Sequence, residues 1–354
     1  MREARFELET LTPLFMAGFD PRGPVEVRPP SIRGLLRFWL RALLGGAGLT
    51  DSQKLLKEEN RVFGSTGEAS PVIVRVEHSV DPKVKEYDVR EFGGGRSGIA
   101  YIYFVARGTK KPPQPPRKYI VPPFRFSLKL SLRPAVGEEE LLQLACASLW
   151  LLTRLGGIGA RSRRFGGCPQ VVRGDWPSSL PSFLTRASRP EQLAVEIREG
   201  LAVLFKLVNG TGGGRAPFPT LSPKGCKIWV VWPRGGIWRD WQTAVRRMGE
   251  IFRDFRAGIT PRERRIELGL PIQNVQGEVV REGKVKRLSS PLLMRLARLA
   301  GPSLCAVLTW FLWIGPERGR WEVLNPERGP QLVEDLRGFL KKSGLEVKEV
   351  EPWA

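Results

Sequence analysis

The chain of 354 residues contains one histidine, His78, and this scarcity restricts the chemistry open to it. A zinc site built on paired histidines is excluded, as is the HExxH motif of metalloproteases. Imidazole-based acid–base catalysis would depend on His78 alone, which follows a predicted strand in VRVEHSV, where a solvated strand-end histidine is expected. Scattered carboxylates can still meet in space, but they form no evident cluster in the sequence. We therefore predict no metal and no cofactor.

Cysteine is also scarce. Cys146, Cys168, Cys226 and Cys305 lie too far apart for a Cys-x-x-Cys metal pair, and they do not form the dense pattern of a disulfide-rich protein. This usage is typical of a reducing compartment, so we predict a cytoplasmic protein.

Long apolar runs are missing as well. The longest, residues 304–314, is about half of the ~20 residues that a membrane-spanning helix needs. The opening residues MREARFELET alternate charged and apolar side chains and lack the apolar core of a signal peptide. We therefore predict that the chain does not insert into a membrane.

Two nucleotide-binding motifs are absent. No GxxxxGK[ST] occurs, since the Gly-Lys pair at Gly283 and Lys284 is followed by valine, and this excludes an NTPase of the P-loop kind. The stretch RLGGIGARSRRFGG at 154–167 fails the GxGxxG pattern, because Ser162 stands at the third glycine position. It also follows a predicted helix rather than a strand, so it is not a dinucleotide fingerprint.

Positive charge, in contrast, is abundant. The chain has 57 Lys and Arg residues against 36 Asp and Glu residues, which gives a formal net charge of +21 at pH 7. An excess of this size predicts an anionic partner, either nucleic acid or an anionic membrane surface.

Hydrophobic periodicity predicts an α+β protein. In the first half it predicts strands at 4–10, 72–76, 99–106, 124–132 and 168–172, with helices at 138–154 and at 31–44, the latter opening at an N-cap Ser31. This order is the ferredoxin-like pattern with one extra hairpin strand.

A similar order follows a Pro- and Ser-rich linker at 174–190. Helices are predicted at 191–208, around the apolar stripe of 238–255, and at 332–342; strands are predicted at 226–232, 270–275, 284–288, 304–313 and 345–350. The stripe is predicted to be core. We therefore predict two tandem ferredoxin-like domains, at residues 1–180 and 190–354.

The first predicted helix carries a row of cations. Arg33, Arg37 and Arg41 recur every four residues, so they share one face, while Leu36, Trp39 and Leu43 fall on the buried side. Like charges at this spacing repel each other, and an anionic partner would relieve that repulsion. The two interpretations are an exposed RNA-binding stripe and a merely solvated face.

The glycine-rich loop is the second candidate site. Arg161, Arg163 and Arg164 can bring guanidinium groups to a phosphate, and glycine allows a close backbone approach. The glycines assigned a conformational role are Gly156, Gly157, Gly159, Gly166 and Gly167. We expect all three arginines to contact phosphate without contributing to folding; the alternative is a loop that is glycine-rich only in order to turn.

Several segments together resemble a known family. They are TLTPLFMAGFDP, EVRPPSIRGLLRFWLRAL, the glycine-rich loop, LGLPIQ and RLSSPLLMRLAR, and they span most of the chain. The chain resembles the RAMP proteins of CRISPR systems and, more narrowly, the first-numbered RAMP subunits of the Cmr (type III-B) effector complex. PPSIRGLLRFWLRAL is the most specific of these segments, whereas the loop is shared by RAMP proteins broadly.

The resemblance implies two ferredoxin-like domains and a non-catalytic, RNA-binding role in antiviral defence. It implies a position near the 3′ part of the guide RNA, beside other RAMP subunits, with the chain helping to engage target RNA. Two alternatives remain open. One is a RAMP endoribonuclease that processes CRISPR repeat RNA, and the other is a purely structural assembly subunit.

Overall fold

The computed structural model describes residues 1–78, 81–110, 113–210, 212–213, 216, 218–260, 262–269, 289–312 and 328–351. The strands are β1 Glu3–Thr10, β2 Val72–Glu77, β3 Val84–Glu86, β4 Thr109–Lys110, β5 Pro113–Gln114, β6 Lys118–Ile120, β7 Phe124–Leu132, β8 Pro169–Asp175, β9 Cys226–Pro233, β10 Leu292–Arg298, β11 Leu304–Phe311 and β12 Leu345–Glu349. The helices are α1 Pro29–Gly46, α2 Ser52–Phe63, α3 Gly98–Ile102, α4 Glu139–Leu155, α5 Pro190–Leu207, α6 Trp241–Gly258 and α7 Arg328–Lys342.

The first half contains a four-stranded antiparallel sheet in the order β2-β7-β1-β8. Strand β1 is central, and its Phe6 lies opposite Leu128 on one side and Gly174 on the other. In β7, alternate residues from Phe124 to Leu132 are buried because successive side chains of a strand point to opposite faces. Helix α1 leads from β1 towards β2, α4 connects β7 to β8, and the two helices pack together.

The second half repeats this arrangement. Its antiparallel sheet has the order β10-β11-β9-β12, with α6 between β9 and β10 and α7 between β11 and β12 in the chain. Each sheet therefore has its first strand between its third and fourth strands. The combination of helices with antiparallel sheets agrees with the predicted α+β class.

The hydrophobic core is shared between the halves. One cluster of buried residues joins Phe6 and Trp39 of the first half to Ile228 and Phe311 of the second, and the Trp39 and Phe311 ring centroids are 6.2 Å apart. The other cluster joins Phe165 to the second sheet. The two sheets are therefore held together by contacts as apolar as those within each half.

Three local predictions are corrected. Residues 99–106 are not a strand but the short helix α3 and a 3-10 turn at Phe104–Ala106, because the Ser97 side chain caps α3 by accepting from the Ala100 amide over 3.1 Å. Strand β10 was missed, and α1 begins at Pro29 after Arg28 rather than at Ser31. The strands predicted at 270–275 and 284–288 lie outside the described residues.

The apolar stripe that runs along α6 is mostly buried, as predicted. Trp238, before the helix begins, Val245, Met248, Phe252 and Phe255 lie in the second cluster, while Trp241 is only partly buried against it. Among the described helices, none combines the length and apolarity needed to cross a bilayer.

Candidate nucleic-acid interface

The glycine-rich loop joins the two sheets. After α4 it runs back along the segment that follows β1, where the Ala160 amide donates to the Phe15 carbonyl over 2.7 Å and the Gly167 amide donates to Pro13 over 2.9 Å. Its next residues pair with β10, where the Phe165 amide donates to the Met294 carbonyl over 2.8 Å. The loop is therefore a connector inside the molecule rather than a free arm.

The loop glycines are closely surrounded. Gly159 and Gly167 have φ angles of 76° and 51°, and a Cβ at these positions would lie 2.6 Å from the Phe15 oxygen and 2.2 Å from the Ile158 oxygen. Only glycine accommodates both the left-handed backbone and the contact. A Cβ would also lie within 3.0 Å of a neighbouring atom at the other three predicted positions, Gly156, Gly157 and Gly166.

The loop arginines donate to the chain's own oxygens. The Arg161 Nε donates to the Ile102 carbonyl over 2.6 Å, and the Arg163 Nη1 donates to the Ser290 carbonyl over 2.6 Å. Arg164, which is only 8% exposed, donates to the Leu292 carbonyl over 2.6 Å and to the Ser290 Oγ over 2.7 Å. The expectation that these side chains contribute nothing to folding is therefore wrong, whereas their contact with RNA stays a prediction.

Each of the three guanidinium groups also lies over an aromatic ring. The Arg161 group is 5.7 Å from the Phe104 centroid, the Arg163 group is 5.4 Å from Phe38, and the Arg164 group is 4.7 Å from Phe252. Burial lowers the pKa of Arg161 to about 10 and that of Arg164 to about 9, and it lowers the pKa of Arg163 as well. Arg161 and Arg164 are thus still charged at pH 7.

Arg161 and Arg164 belong to a larger group, which we call the arginine cluster. It consists of Arg22, Arg107, Arg117, Arg161, Arg164 and Arg256. Burial, and then the charge of Arg22, lower the pKa of Arg117. The charges of Arg117 and Arg256 in turn help to lower the pKa of Arg161. These effects are repulsions between members of the cluster, and Arg107 and Arg161 both act on the Tyr87 hydroxyl, although the six arginines come from segments more than 200 residues apart in sequence.

Several donors of the arginine cluster meet neutral acceptors, whereas the Nε atoms of Arg107 and Arg117 are buried without an acceptor among the described residues. Arg22 donates to the Gln114 Oε1 over 3.1 Å, to the Arg107 carbonyl over 3.3 Å and to Pro115, and Arg107 donates to the Gly95 carbonyl over 3.2 Å. The Arg256 guanidinium lies 3.5 Å from the Tyr101 hydroxyl. Within the described ranges, no carboxylate forms an ion pair with any of the six. The cluster is therefore a site of uncompensated positive charge, with the Phe104 ring 48% exposed beside it.

The arginine row of α1 is different. The Arg37 Nε donates to Glu59 of α2, and Arg37 also donates to the Asn60 Oδ1 and the Gly64 carbonyl, each over 2.8 Å. Arg41 donates to the other Glu59 oxygen over 2.6 Å, and Glu59 is only 2% exposed. Because α2 covers this face, the exposed stripe predicted from the sequence is wrong for Arg37. Leu36, Trp39 and Leu43 are buried, as predicted.

Arg33, the first member of the row, is free of Glu59. It lines an open pocket of about 260 Å³ together with Arg133, and its Nε is buried without an acceptor among the described residues. These contacts neither support nor contradict an interaction of Arg33, Arg37 and Arg41 with RNA, which stays a prediction.

Sequence patterns pointed to the loop but missed most of the cluster. Arg22, Arg107 and Arg117 stand in loops rich in Pro and Gly, at irregular spacing, and only the fold brings them together. No group of three or more His, Cys, Asp or Glu side chains suited to a metal ion occurs in the part of the chain that the structure describes. His78 is exposed just after β2.

Comparison with known proteins identifies the family. The family model of the RAMP superfamily matches residues 7–169. Over 173 residues the chain is 38% identical to CRISPR system Cmr subunit Cmr1-1 of Pyrococcus furiosus, an alignment that covers 48% of this chain and 47% of that protein. Over 180 residues it is 34% identical to Cmr1-2 of the same organism, covering 48% of this chain and 96% of that one. The chain thus spans about half the length of the first relative and nearly all of the second.

Solved structures give a matching result. The apo crystal structure of Cmr1 from Pyrococcus furiosus superposes with a TM-score of 0.69 at 25% identity over 100% of both chains. A chain of the type III-B Cmr-beta complex bound to cognate target RNA and AMPPnP shares the fold, with a TM-score of 0.61 at 14% identity over 96% of this chain and 99% of that one. From its sequence and its fold, the chain belongs to the RAMP superfamily and, within it, to the Cmr1 subunits of Cmr CRISPR systems.

Proposed function

We propose that this chain is a non-catalytic, RNA-binding subunit of a type III-B Cmr ribonucleoprotein that acts in antiviral defence in the cytoplasm. In this role it lies near the 3′ part of the guide RNA, beside other RAMP subunits, and helps to engage the target RNA. Its similarity to Cmr1 proteins supports membership of such a complex. The arginine cluster supports the RNA-binding role.

One observation carries the RNA-binding proposal. Six arginines share one region, and no carboxylate among the described residues forms an ion pair with any of them, in a protein with a net charge of +21. Repulsion within such a group destabilises the free protein, and bound phosphates relieve it. Phosphate contacts supply affinity without base preference, so this site suits a strand of any sequence. The exposed Phe104 ring offers a surface on which an unpaired base can stack.

The proposed architecture is two ferredoxin-like units, at residues 1–180 and 190–354. The support is the repeated strand order, since both four-stranded sheets place their first strand between the third and the fourth. Helices also occupy equivalent places in the two chain segments. Arg22, Arg107, Arg117, Arg161 and Arg164 belong to the first unit and Arg256 to the second, so a strand bound at the cluster contacts both units.

A direct experiment separates this function from its alternatives. The purified chain is titrated into a fluorescently labelled, unstructured RNA and into a CRISPR repeat RNA at moderate salt, and the RNA is then examined on a denaturing gel. Binding with intact RNA supports the proposal. Specific fragments that disappear in a His78→Ala variant would establish the endoribonuclease instead, and an absence of binding would leave the purely structural subunit.

A matched pair of variants links binding to the cluster. Arg117→Gln removes one cluster charge, whereas Arg75→Gln removes an exposed charge from β2, outside the cluster. The first is expected to weaken RNA binding several-fold and the second to leave it nearly unchanged. Equal losses would show that only the net charge matters and that the cluster is not the site.

A further inference from the structure

A small, partly open cavity lies between the two halves, apart from the arginine cluster. It is bounded by the end of α4, by β8, by α5 and by β10, and its volume is about 10 Å³. Three arginines line it, Arg154, Arg295 and Arg298, together with Gln170 and apolar side chains that include Val171 and Phe183. None of its lining residues is acidic.

Arg295 is the most deeply buried of the three, with 1% of its surface exposed. Its Nε donates to the Leu296 carbonyl over 3.0 Å and its Nη2 donates to the Pro169 carbonyl over 2.9 Å. Its Nη1 is buried and meets no acceptor in the described part of the chain. A charged donor left in this condition costs free energy unless a further group accepts from it.

Arg154 brings a second charge to the same cavity. Its Nη2 donates to the Ser182 carbonyl over 3.1 Å, and its guanidinium lies 5.7 Å from the Trp150 centroid. Burial lowers the pKa of Arg154 to about 10, although the charge of Glu196 acts to raise it, and burial together with the repulsion from Arg154 lowers the pKa of Arg295 to about 10. Both groups therefore stay cationic at pH 7.

Arg298, unlike Arg295, forms an ion pair with a carboxylate. It donates to the buried carboxylate of Glu9, which also accepts from Arg125, so its charge is compensated. Arg154 and Arg295 line a cavity that has no carboxylate among its lining residues, and Glu196 acts on Arg154 from outside it, so Arg295 is the charge left without a carboxylate. Two like charges in such surroundings attract an anion more strongly than they would in water.

We propose that this cavity binds one halide ion, which in a cell is chloride. A volume of about 10 Å³ holds one particle of about the size of a water molecule, so sulfate, phosphate and carboxylates are too large. A water molecule could accept from the Arg295 Nη1 but would leave the Arg295 charge uncompensated, whereas a halide both accepts the hydrogen bond and compensates the charge. The ion joins α4 of the first half to β10 of the second, so it stabilises the junction of the two halves.

The test uses the full chain without RNA, so its outcome is independent of RNA binding. Thermal unfolding is measured at constant ionic strength in sodium fluoride, chloride and bromide. Chloride and bromide are expected to raise the Tm by roughly 2 to 4 °C at ten times their dissociation constant, while strongly hydrated fluoride does not. Fluoride generally stabilises proteins, so a general salt effect would give the opposite order of Tm values. Equal Tm values in the three salts would overturn the proposal.

Two further measurements distinguish a bound halide from a bound water molecule and from a general salt effect. Crystals grown in bromide should show an anomalous scattering peak between Arg154 and Arg295, and a peak without anomalous signal there would mean water and refute the halide. Arg295→Met should unfold at a Tm that no longer depends on chloride, whereas Arg173→Met, on the exposed side of β8, should keep the dependence. If Arg295→Met does not fold, Arg154→Met and the bromide crystal still decide between the two occupants.

Discussion

The amide of Phe165 donates to the carbonyl of Met294 across 2.8 Å, and the amide of Met294 donates back to the carbonyl of Arg163 across 3.2 Å. These two bonds attach a loop of the first half to a strand of the second. They also direct Arg163 and Arg164 towards residues 290–292, which supply acceptors for both guanidinium groups. The loop therefore stabilises the fold in addition to any role that it has in binding.

Arg164→Ala should destabilise the protein. The change removes two donors from buried oxygens and opens space beside Phe252, and we expect a loss of about 3 kcal/mol in the free energy of unfolding. Chemical denaturation measures this loss. Arg173→Ala, an exposed arginine on β8, is the control and should stay within about 0.5 kcal/mol of the wild type. If the two variants lose the same amount, the loop contacts contribute nothing.

Helix α1 offers a comparison between an apolar and a charged contact. Trp39→Ala removes a ring that is 1% exposed and should cost about 3 to 5 kcal/mol. Arg37→Ala should cost about 2 kcal/mol, because Glu59 stays buried and retains only Arg41. The sequence alone had suggested almost no cost for Arg37, so denaturation of this variant discriminates between a solvated stripe and the contact with α2.

Stability should fall in mild acid partly through Glu9. Burial acts to raise the pKa of this carboxyl group, but hydrogen bonds from Arg125 and Arg298 outweigh it and hold the pKa below its usual value. A depressed folded-state pKa gives stability that is complete above the unfolded value of about 4.3 and is lost as the pH falls through the folded value. Denaturation midpoints from pH 6 to pH 3 should therefore decline less steeply in Glu9→Gln than in the wild type.

The salt dependence of RNA binding tests the number of phosphate contacts. Each contact contributes about 0.7 to the slope of log affinity against log salt on a single strand. Arg117→Gln and Arg161→Gln should each reduce the slope by about that amount, and Arg75→Gln should leave it unchanged. A slope that is the same in all four proteins would remove these side chains from the interface, and folding is checked in each case by the Tm.

Adding a single Cβ atom to α3 tests its close contact with α6. A Cβ on Gly98 would lie 1.8 Å from the Arg246 carbonyl oxygen, so Gly98→Ala must separate the two helices. We expect a loss of about 2 kcal/mol or more and weaker RNA binding, since this contact holds Tyr101 near Arg256. Gly67→Ala, where the structure leaves open space, should be neutral in both measurements.

Hydrophobic periodicity was sufficient to predict the elements whose buried residues recur at regular spacing. Strand β7 alternates buried and exposed residues over its nine positions, and α6 presents one apolar stripe, so both were predicted from the sequence. Strand β10 was missed because both of its faces are buried, which leaves no alternation to detect. The helix at 98–102 was mistaken for a strand because GIAYI is rich in apolar and β-branched residues, while Ser97 and the contact with α6 determine its conformation.

The site was predictable only in part. A run of arginines and glycines marks the loop in the sequence. The acceptors of Arg163 and Arg164 lie 127 and 128 residues later, whereas that of Arg161 lies 59 residues earlier, and none has a local signature. The pairing of Arg37 with Glu59 depends on how α2 packs against α1, which charge spacing on one helix does not encode. Arg22, Arg107 and Arg117 were missed for the same reason, because their proximity is created by tertiary structure.

The attachment of the loop to β10 has a consequence for synthesis on the ribosome. Arg163 and Arg164 leave the exit tunnel with their neighbours, but Ser290 and Leu292 follow 127 and 128 residues later. At about 5 to 20 residues per second, this interval lasts about 6 to 25 seconds. Throughout it the nascent first half carries cationic side chains without their final acceptors, close to the phosphate-rich surface of ribosomal RNA. Completion of the second half then supplies these acceptors and withdraws Arg164 from solvent, so this part of the loop reaches its final environment only after β10 has been synthesised.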